Sequence, residues 1–130
     1  MPHLYDDALA LGAGSPSAVT ALLGGTPATG LSGAGTSSQA NATAITAPIS
    51  VFGTVALNSG ARLPAFGRGS SNVLDEYLIC NDGANPLLLY PASGEFINAL
   101  TVNSSFSVTN ARSAVAKRIS PTTWRVYLSG

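Results

Sequence analysis

The sequence is poor in the residue types from which catalytic and metal sites are built. It contains one Cys and one His among 130 residues. An intramolecular disulfide and a Cys/His zinc site within one protomer are therefore excluded. A Ser-His-Asp or Cys-His catalytic group would have to use His3, close to the start of the chain. These shortages predict a protein that is not an enzyme and that uses no metal ion or cofactor.

Charge is equally scarce. Charged residues make up 9% of the chain, and six basic residues balance six acidic ones, whereas about 25% is usual in globular domains. A nucleic-acid-binding protein needs a basic stripe, and a membrane-surface protein needs a polybasic segment. The N-terminus lacks the pattern of a signal peptide, and Gly and Pro interrupt every apolar run well before the ~20 residues of a membrane span. The sequence therefore predicts neither nucleic acid nor membrane as a partner.

The first part of the chain consists mainly of small, uncharged residues. Residues 8–61 contain no charged residue and no His, and 36 of these 54 residues are Ala, Gly, Ser or Thr. Aromatic residues become frequent only from Phe52 onwards. We therefore predict an extended N-terminal arm over residues 1–44 and a folded body over residues 45–130. The arm is either a flexible linker or a segment that lies in a groove of a partner protein, with contact candidates Leu4, Tyr5, Leu22, Leu23 and Leu31.

The body has the pattern of short strands separated by turns. Ile49 and Val51 begin a period-two alternation that places Phe52 on the outer set. Further short apolar segments follow, bounded by clusters of Asn, Gly, Ser and Pro. This pattern predicts an all-β fold, specifically an antiparallel, jelly-roll-like sandwich or barrel. On the last strand, Trp124 and Val126 share a face, which favours a core position for the single Trp.

The remaining candidates for chemistry are weak. Cys80 lies in an apolar segment with no basic residue beside it to stabilise a thiolate, so we interpret it as a buried structural thiol. Asp82 and Glu95 flank one strand, but the body has only four acidic residues and nothing else suggests a glycosidase pair. Trp124 is a candidate sugar-stacking platform only if it is exposed.

Several motifs of the chain follow one another in a distinctive order. They are Gly-Thr-Ser-Ser-Gln-Ala-Asn-Ala-Thr-Ala-Ile at 35–45, Cys-Asn-Asp-Gly-Ala-Asn-Pro at 80–86, Leu-Tyr-Pro at 89–91, Gly-Glu-Phe-Ile-Asn at 94–98, and the closing Trp124. In this order they resemble the small β-rich structural proteins of tailed bacteriophages. The likeness covers about residues 35–128, and residues 1–34 lie outside it.

The resemblance implies a structural virion protein. Proteins of this kind are often capsid decoration (cement) proteins or head fibres and are usually trimers. It therefore implies a viral protein that is made in the bacterial cytoplasm, lies on the outer capsid surface, and contacts both the major capsid protein and further copies of itself. The outward-facing apolar candidates for self-association are Phe52, Phe66 and Tyr127. The alternative is a tail, fibre or knob module that binds a host surface receptor or polysaccharide.

Overall fold

The folded part of the chain is built from β-strands. The computed structural model describes residues 26–67 and 69–129, and in these ranges it contains ten strands and no helix, which confirms the all-β class. Nothing in these ranges could cross a membrane as a helix. The strands are β1 (Ala28–Ser32), β2 (Thr43–Ala44), β3 (Ile49–Thr54), β4 (Gly60–Arg62), β5 (Glu76–Asn81), β6 (Leu87–Tyr90), β7 (Phe96–Ile97), β8 (Phe106–Val108), β9 (Arg112–Arg118) and β10 (Thr123–Ser129).

The ten strands form two sheets around one core. The larger sheet has the order β1-β3-β5-β9-β10-β7, and the smaller has the order β2-β4-β6-β8. Both sheets contribute side chains to a single hydrophobic cluster, so they pack against each other. From β1 to β9, successive strands belong alternately to the larger and the smaller sheet.

The alternation accounts for the strand directions from β1 to β7. In this part of the chain each strand of one sheet is followed by a strand of the other sheet that runs back in the opposite direction, whereas β8 and β9 run opposite to β6 and β5. As a result β1, β3 and β5 run parallel, as do β2, β4 and β6, and β7 is parallel to β10. Antiparallel pairing is confined to β5–β9, β9–β10 and β6–β8. The expected antiparallel architecture is therefore not confirmed, since both sheets are mixed.

The folded body begins well before residue 45. β1 pairs with β3 at one edge of the larger sheet, and β2 pairs with β4 at one edge of the smaller sheet. A glycine is favoured at position 33 because the chain runs close to its neighbours there: a Cβ on Gly33 would lie 2.6 Å from the Ser59 hydroxyl oxygen. Residues 28–44, which composition assigns to the arm, thus belong to the body. Only residues 1–25 of the predicted arm lie outside the described part.

The faces of β3 are the reverse of those predicted. Ser50 and Phe52 point into the core and are almost completely buried, while Ile49 and Val51 lie on the outer face. The prediction that Phe52 faces outward is therefore wrong. Period two identifies two sets of side chains but not which set is inside, and the core accommodates the large aromatic ring.

Trp124 fills the centre of the core, as predicted. It has no exposed surface, and its ring meets the Tyr77 ring edge-on at a centroid distance of 5.7 Å. Val126 is buried on the same face of β10, and Leu128 packs against the cluster. The alternation of the last strand therefore identified its inner face correctly.

The turn after β5 is organised by a buried amide. Asn81 Nδ2 donates to the carbonyl oxygens of Asn85 and Val108 at 2.9 and 2.8 Å. Its Oδ1 accepts a hydrogen bond from the Gly83 amide at 2.9 Å. A Cβ on Gly83 would lie 2.7 Å from the Val55 side chain, so only glycine fits there. The motif at 80–86 is thus a requirement of the turn itself.

Candidate functional site

The predicted capsid-contact residues lie mostly outside the described part of the chain. Leu4, Tyr5, Leu22 and Leu23 fall within residues 1–25, and the structure does not describe them. Leu31 lies in β1, where it is half-buried and packs against the hydrophobic core. Leu31 therefore contributes to the fold of its own protomer, and a contact of its exposed part with the capsid stays a prediction.

The three predicted self-association residues lie in different environments. Phe52 is in the core and is not available for a contact between copies, because it faces the smaller sheet. Phe66 is 45% exposed, and the Arg118 guanidinium lies 5.5 Å from its ring centroid. Tyr127 is 59% exposed on the outer face of β10. Only Phe66 and Tyr127 thus remain candidates for an intermolecular contact.

Glu95 and Arg118 form a buried ion pair beside Trp124. Arg118 Nη2 donates to Glu95 Oε1 at 2.8 Å, and Trp124 Nε1 donates to the same oxygen at 3.0 Å. Glu95 Oε2 accepts a hydrogen bond from the Phe66 amide at 3.1 Å. The Arg118 guanidinium also lies 4.4 Å from the Trp124 ring centroid, which adds a cation–π contact. Both charged side chains are almost completely buried, with 0% and 8% of their surface exposed.

The bonding of this cluster is complete. Arg118 donates to Glu95 and, in addition, to four oxygens: the Ser71 hydroxyl and the carbonyls of Pro64, Ser120 and Pro121. These bonds engage all five N–H donors that a guanidinium possesses. A substrate would have to displace several charge-assisted bonds to reach either charge. We therefore interpret the cluster as a structural tie between the loops at this end of the body.

The other polar features do not assemble into a reactive site. Cys80 was predicted to be buried, but it is half-buried and lies on the face of β5 opposite Tyr77 and Ile79. In residues 26–67 and 69–129, no three His, Cys, Asp or Glu side chains lie close enough together to hold a metal ion. A cleft of about 480 Å³ lies beside β2 and β4, but its Arg62 Nη1 donates to the carbonyl oxygens of Gln39 and Ala40. Two N–H groups of the guanidinium in this cleft thus bind the protein's own backbone.

The most distinctive surface is an apolar patch on the outer face of the larger sheet. Cross-strand register aligns Ile49, Leu78, Val115 and Tyr127 in one row across β3, β5, β9 and β10, and Val51 and Cys80 occupy the next row. We call these six residues the outer apolar patch. Tyr127 and Ile49 are exposed, and the other four are half-buried. The face of a sheet that is open to water normally carries polar residues, so such a patch indicates an interaction surface.

A row of charged residues borders the outer apolar patch. Glu76 on β5 pairs in register with Lys117 on β9, which pairs with Arg125 on β10. We call these three residues the outer charged row. Within the described ranges, the only ion pair is that of Glu95 and Arg118, so no member of the row forms an ion pair there. The larger sheet therefore presents an apolar surface with available charges along one side.

Sequence reasoning identified Tyr127 but missed the rest of the outer apolar patch. A signal is present in residues 77–80, which are Tyr, Leu, Ile and Cys. A strand that is apolar on both of its faces is expected to be covered on both. Here one face lies in the core, while the described residues leave Leu78 and Cys80 partly exposed on the other.

Comparison with known proteins does not assign the chain to a family. No family model, no curated protein and no solved structure gave a match to it.

Proposed function

We propose that the chain is a structural protein of a bacteriophage virion that decorates and stabilises the capsid exterior. In this proposal residues 1–25 lie on subunits of the major capsid protein. The body, a sandwich of two mixed sheets, associates with further copies as a homotrimer. The proposal combines the resemblance of residues 35–128 to phage structural proteins with the surface properties of the body.

The observation that carries the proposal is the outer apolar patch. A small body that leaves Ile49, Leu78, Val115 and Tyr127 in an uninterrupted row has a surface suited to association. Burial between copies, or against a shell, would also add stability to a small domain with a limited core. An adhesive structural protein needs such a surface and does not need a reactive site.

The buried ion pair supports a structural role in a second way. The Glu95 carboxylate is the one acidic group of the body that lies in the core, and all its bonds go to groups of the protein itself. Its partner Arg118 binds two loops, the one between β4 and β5 and the one between β9 and β10, through carbonyl and hydroxyl oxygens. Such an arrangement stabilises a body against unfolding, as a virion protein requires, and leaves little room for catalysis.

Residues 1–25 are suited to a capsid groove by their composition. Their only acidic residues are Asp6 and Asp7, and they contain no Lys or Arg. Large apolar side chains such as Leu4 and the adjacent Leu22 and Leu23 are few among small residues, which favours shallow apolar contacts. Since few ionic contacts are available, we expect attachment to the capsid to depend only weakly on salt.

The alternative function is a tail, fibre or knob module that binds a host surface receptor or polysaccharide, and its polysaccharide form has less support. It would have used Trp124 as a stacking platform, and Trp124 has no exposed surface. A receptor-binding module would also occur at few sites in each particle. A decoration protein would instead approach the copy number of the major capsid protein.

Two measurements on full-length protein test the proposal. The first is the position and copy number of the protein in purified virions, determined by cryo-electron microscopy and quantitative gel analysis. The second is binding of the purified protein to capsids that lack it, for Leu22→Ser/Leu23→Ser and for the control Leu57→Ser. Leu57 is 68% exposed in the turn after β3, so its replacement perturbs a similar side chain on the body. Loss of binding for the double variant alone is expected. Equal binding of all three proteins, or density at the tail only, would overturn the proposal.

A further inference from the structure

The outer charged row is polarised across the larger sheet. The strand order β3-β5-β9-β10 places the acidic residue Glu76 on the β3 side and the basic residues Lys117 and Arg125 on the β7 side. All three lie at one height along the strands, because they are neighbours in register. The row therefore has a negative half and a positive half, next to the outer apolar patch.

This polarity distinguishes between the ways in which two copies can meet. Rotation about an axis parallel to the strands brings the β5 side of one copy against the β10 side of the next, at the same height. Glu76 of one copy then faces Arg125 of another and this pair is complementary, while Lys117 of the middle strand lies between the pairs. Rotation about an axis that lies in the sheet plane across the strands instead places each strand opposite its own equivalent, so the opposite charges do not meet.

We infer that the outer face of the larger sheet is the contact between copies of this chain, arranged around a symmetry axis parallel to its strands. The outer apolar patch lies at the axis, and Glu76 of each copy faces Arg125 of the next. The inference rests on the self-association in the proposed function and specifies the surface and the symmetry. In a trimer, each face contacts both neighbours, and the pairing of Glu76 with Arg125 closes the ring.

The size of the patch suits this arrangement. Its main row crosses three strand spacings of about 4.8 Å, which makes it roughly 14 Å wide. Three such faces can surround a narrow apolar core at a three-fold axis, with the charged row next to one end of that core. The row carries both signs of charge, so a partner must offer a positive group to Glu76 and a negative group to the basic residues. A second copy of the chain offers both, whereas a partner of a single charge sign would be repelled by one half of the row.

Charge reversal tests the contact. In full-length protein we expect Glu76→Lys and Arg125→Glu each to weaken association by about tenfold or more at low salt, because like charges then meet across every contact. The double variant Glu76→Lys/Arg125→Glu should recover most of the association, because every contact is again complementary. Association is measured by sedimentation velocity, and thermal unfolding of each variant verifies that its body is intact.

A mixture of the two single variants reports the symmetry. A ring of three copies drawn from two variants always contains at least one contact between identical variants, and that contact joins two like charges. The mixture should therefore regain only part of the association if the assembly is a trimer. Full recovery as a dimer would support the contact and the axis direction but would overturn the trimer in the proposed function. Unchanged association of both single variants would overturn the inference, whatever the position of the protein in the virion.

The single Cys provides an independent measure of the same face. Cys80 lies in the outer apolar patch, so its reaction with a maleimide should be fast in dilute protein and slow in the assembled protein. Tyr127→Ser should abolish this protection, whereas the matched control Leu57→Ser should retain it. Protection of Cys80 in a protein that stays monomeric would mean that residues 1–25 cover the face. Protection only on the capsid would mean that the capsid protein covers it. Either result would overturn the inference.

Discussion

Neutralising Glu95 is expected to destabilise the body more than any other change of a single carboxylate. Glu95→Gln keeps the shape of the side chain but removes the negative charge beside Arg118, whose side chain has no exposed surface. The new amide group must also present N–H donors to surroundings that already donate, namely Arg118, the Trp124 indole and the Phe66 amide. A buried cation is thus left without its counter-ion, and at least one hydrogen bond becomes a contact between two donors.

The magnitude follows from the burial of the pair. Removing one partner of a buried ion pair typically costs about 3–5 kcal/mol. A small domain has about 5–15 kcal/mol of stability in total, so this loss would consume much of it. At about 4–8 °C per kcal/mol for a domain of this size, the melting temperature should fall by roughly 12–40 °C.

Urea and thermal unfolding, followed by far-UV circular dichroism and by Trp124 fluorescence, measure the effect. Asp82→Asn is the matched control, because it makes the same chemical change at an exposed carboxylate and should alter stability by less than about 0.5 kcal/mol. The second arm is Arg118→Met, alone and combined with Glu95→Gln. The double variant should lose less stability than the sum of the two single variants, since it buries no unpaired charge. A loss below about 1 kcal/mol for Glu95→Gln, or strict additivity, would refute the reasoning.

Two further predictions concern a phenol and a glycine. Burial, together with the negative charge of Asp75, raises the pKa of Tyr77 above its usual value of 10.0. The unfolded chain therefore ionises first, and stability should fall as the pH rises above about 10 but not below it. Between pH 8 and 11 the denaturant midpoint should fall less for Tyr77→Phe than for the unmodified protein. An equal fall in both proteins would show that Tyr77 is not the source of the pH dependence. Gly83→Ala should destabilise the turn after β5, because its Cβ would lie 2.7 Å from Val55, while Gly53→Ala, which meets no atom within 4 Å, should be tolerated. Measurement of the melting temperatures of both variants tests this difference. A Gly83→Ala variant as stable as Gly53→Ala would contradict the prediction and show that the turn can shift to accommodate the Cβ.

Prediction from the sequence succeeded where the pattern is local. The alternation of the last strand identified the core position of Trp124, and the run of Asn, Asp, Gly and Pro after Cys80 identified the turn. It failed for Phe52, because β3 carries large apolar residues on both faces and period two does not say which face lies inside. It also failed for residues 28–44, whose composition resembles a linker although Gly33 packs closely against Ser59 and Leu87.

What the sequence by itself determined is the class of the protein: an all-β body with a small, uncharged N-terminal region and few groups suited to chemistry. The tertiary structure alone decided the strand directions, because these depend on how each connection leads the chain from one strand to the next, and a period of two carries no information on that. It also decided which charges meet. Glu95 and Arg118 are 23 residues apart and come together only through the packing of β7, β9 and β10. Glu76, Lys117 and Arg125 become one polarised row for the same reason: the register of three strands places them side by side, and no local pattern records that register.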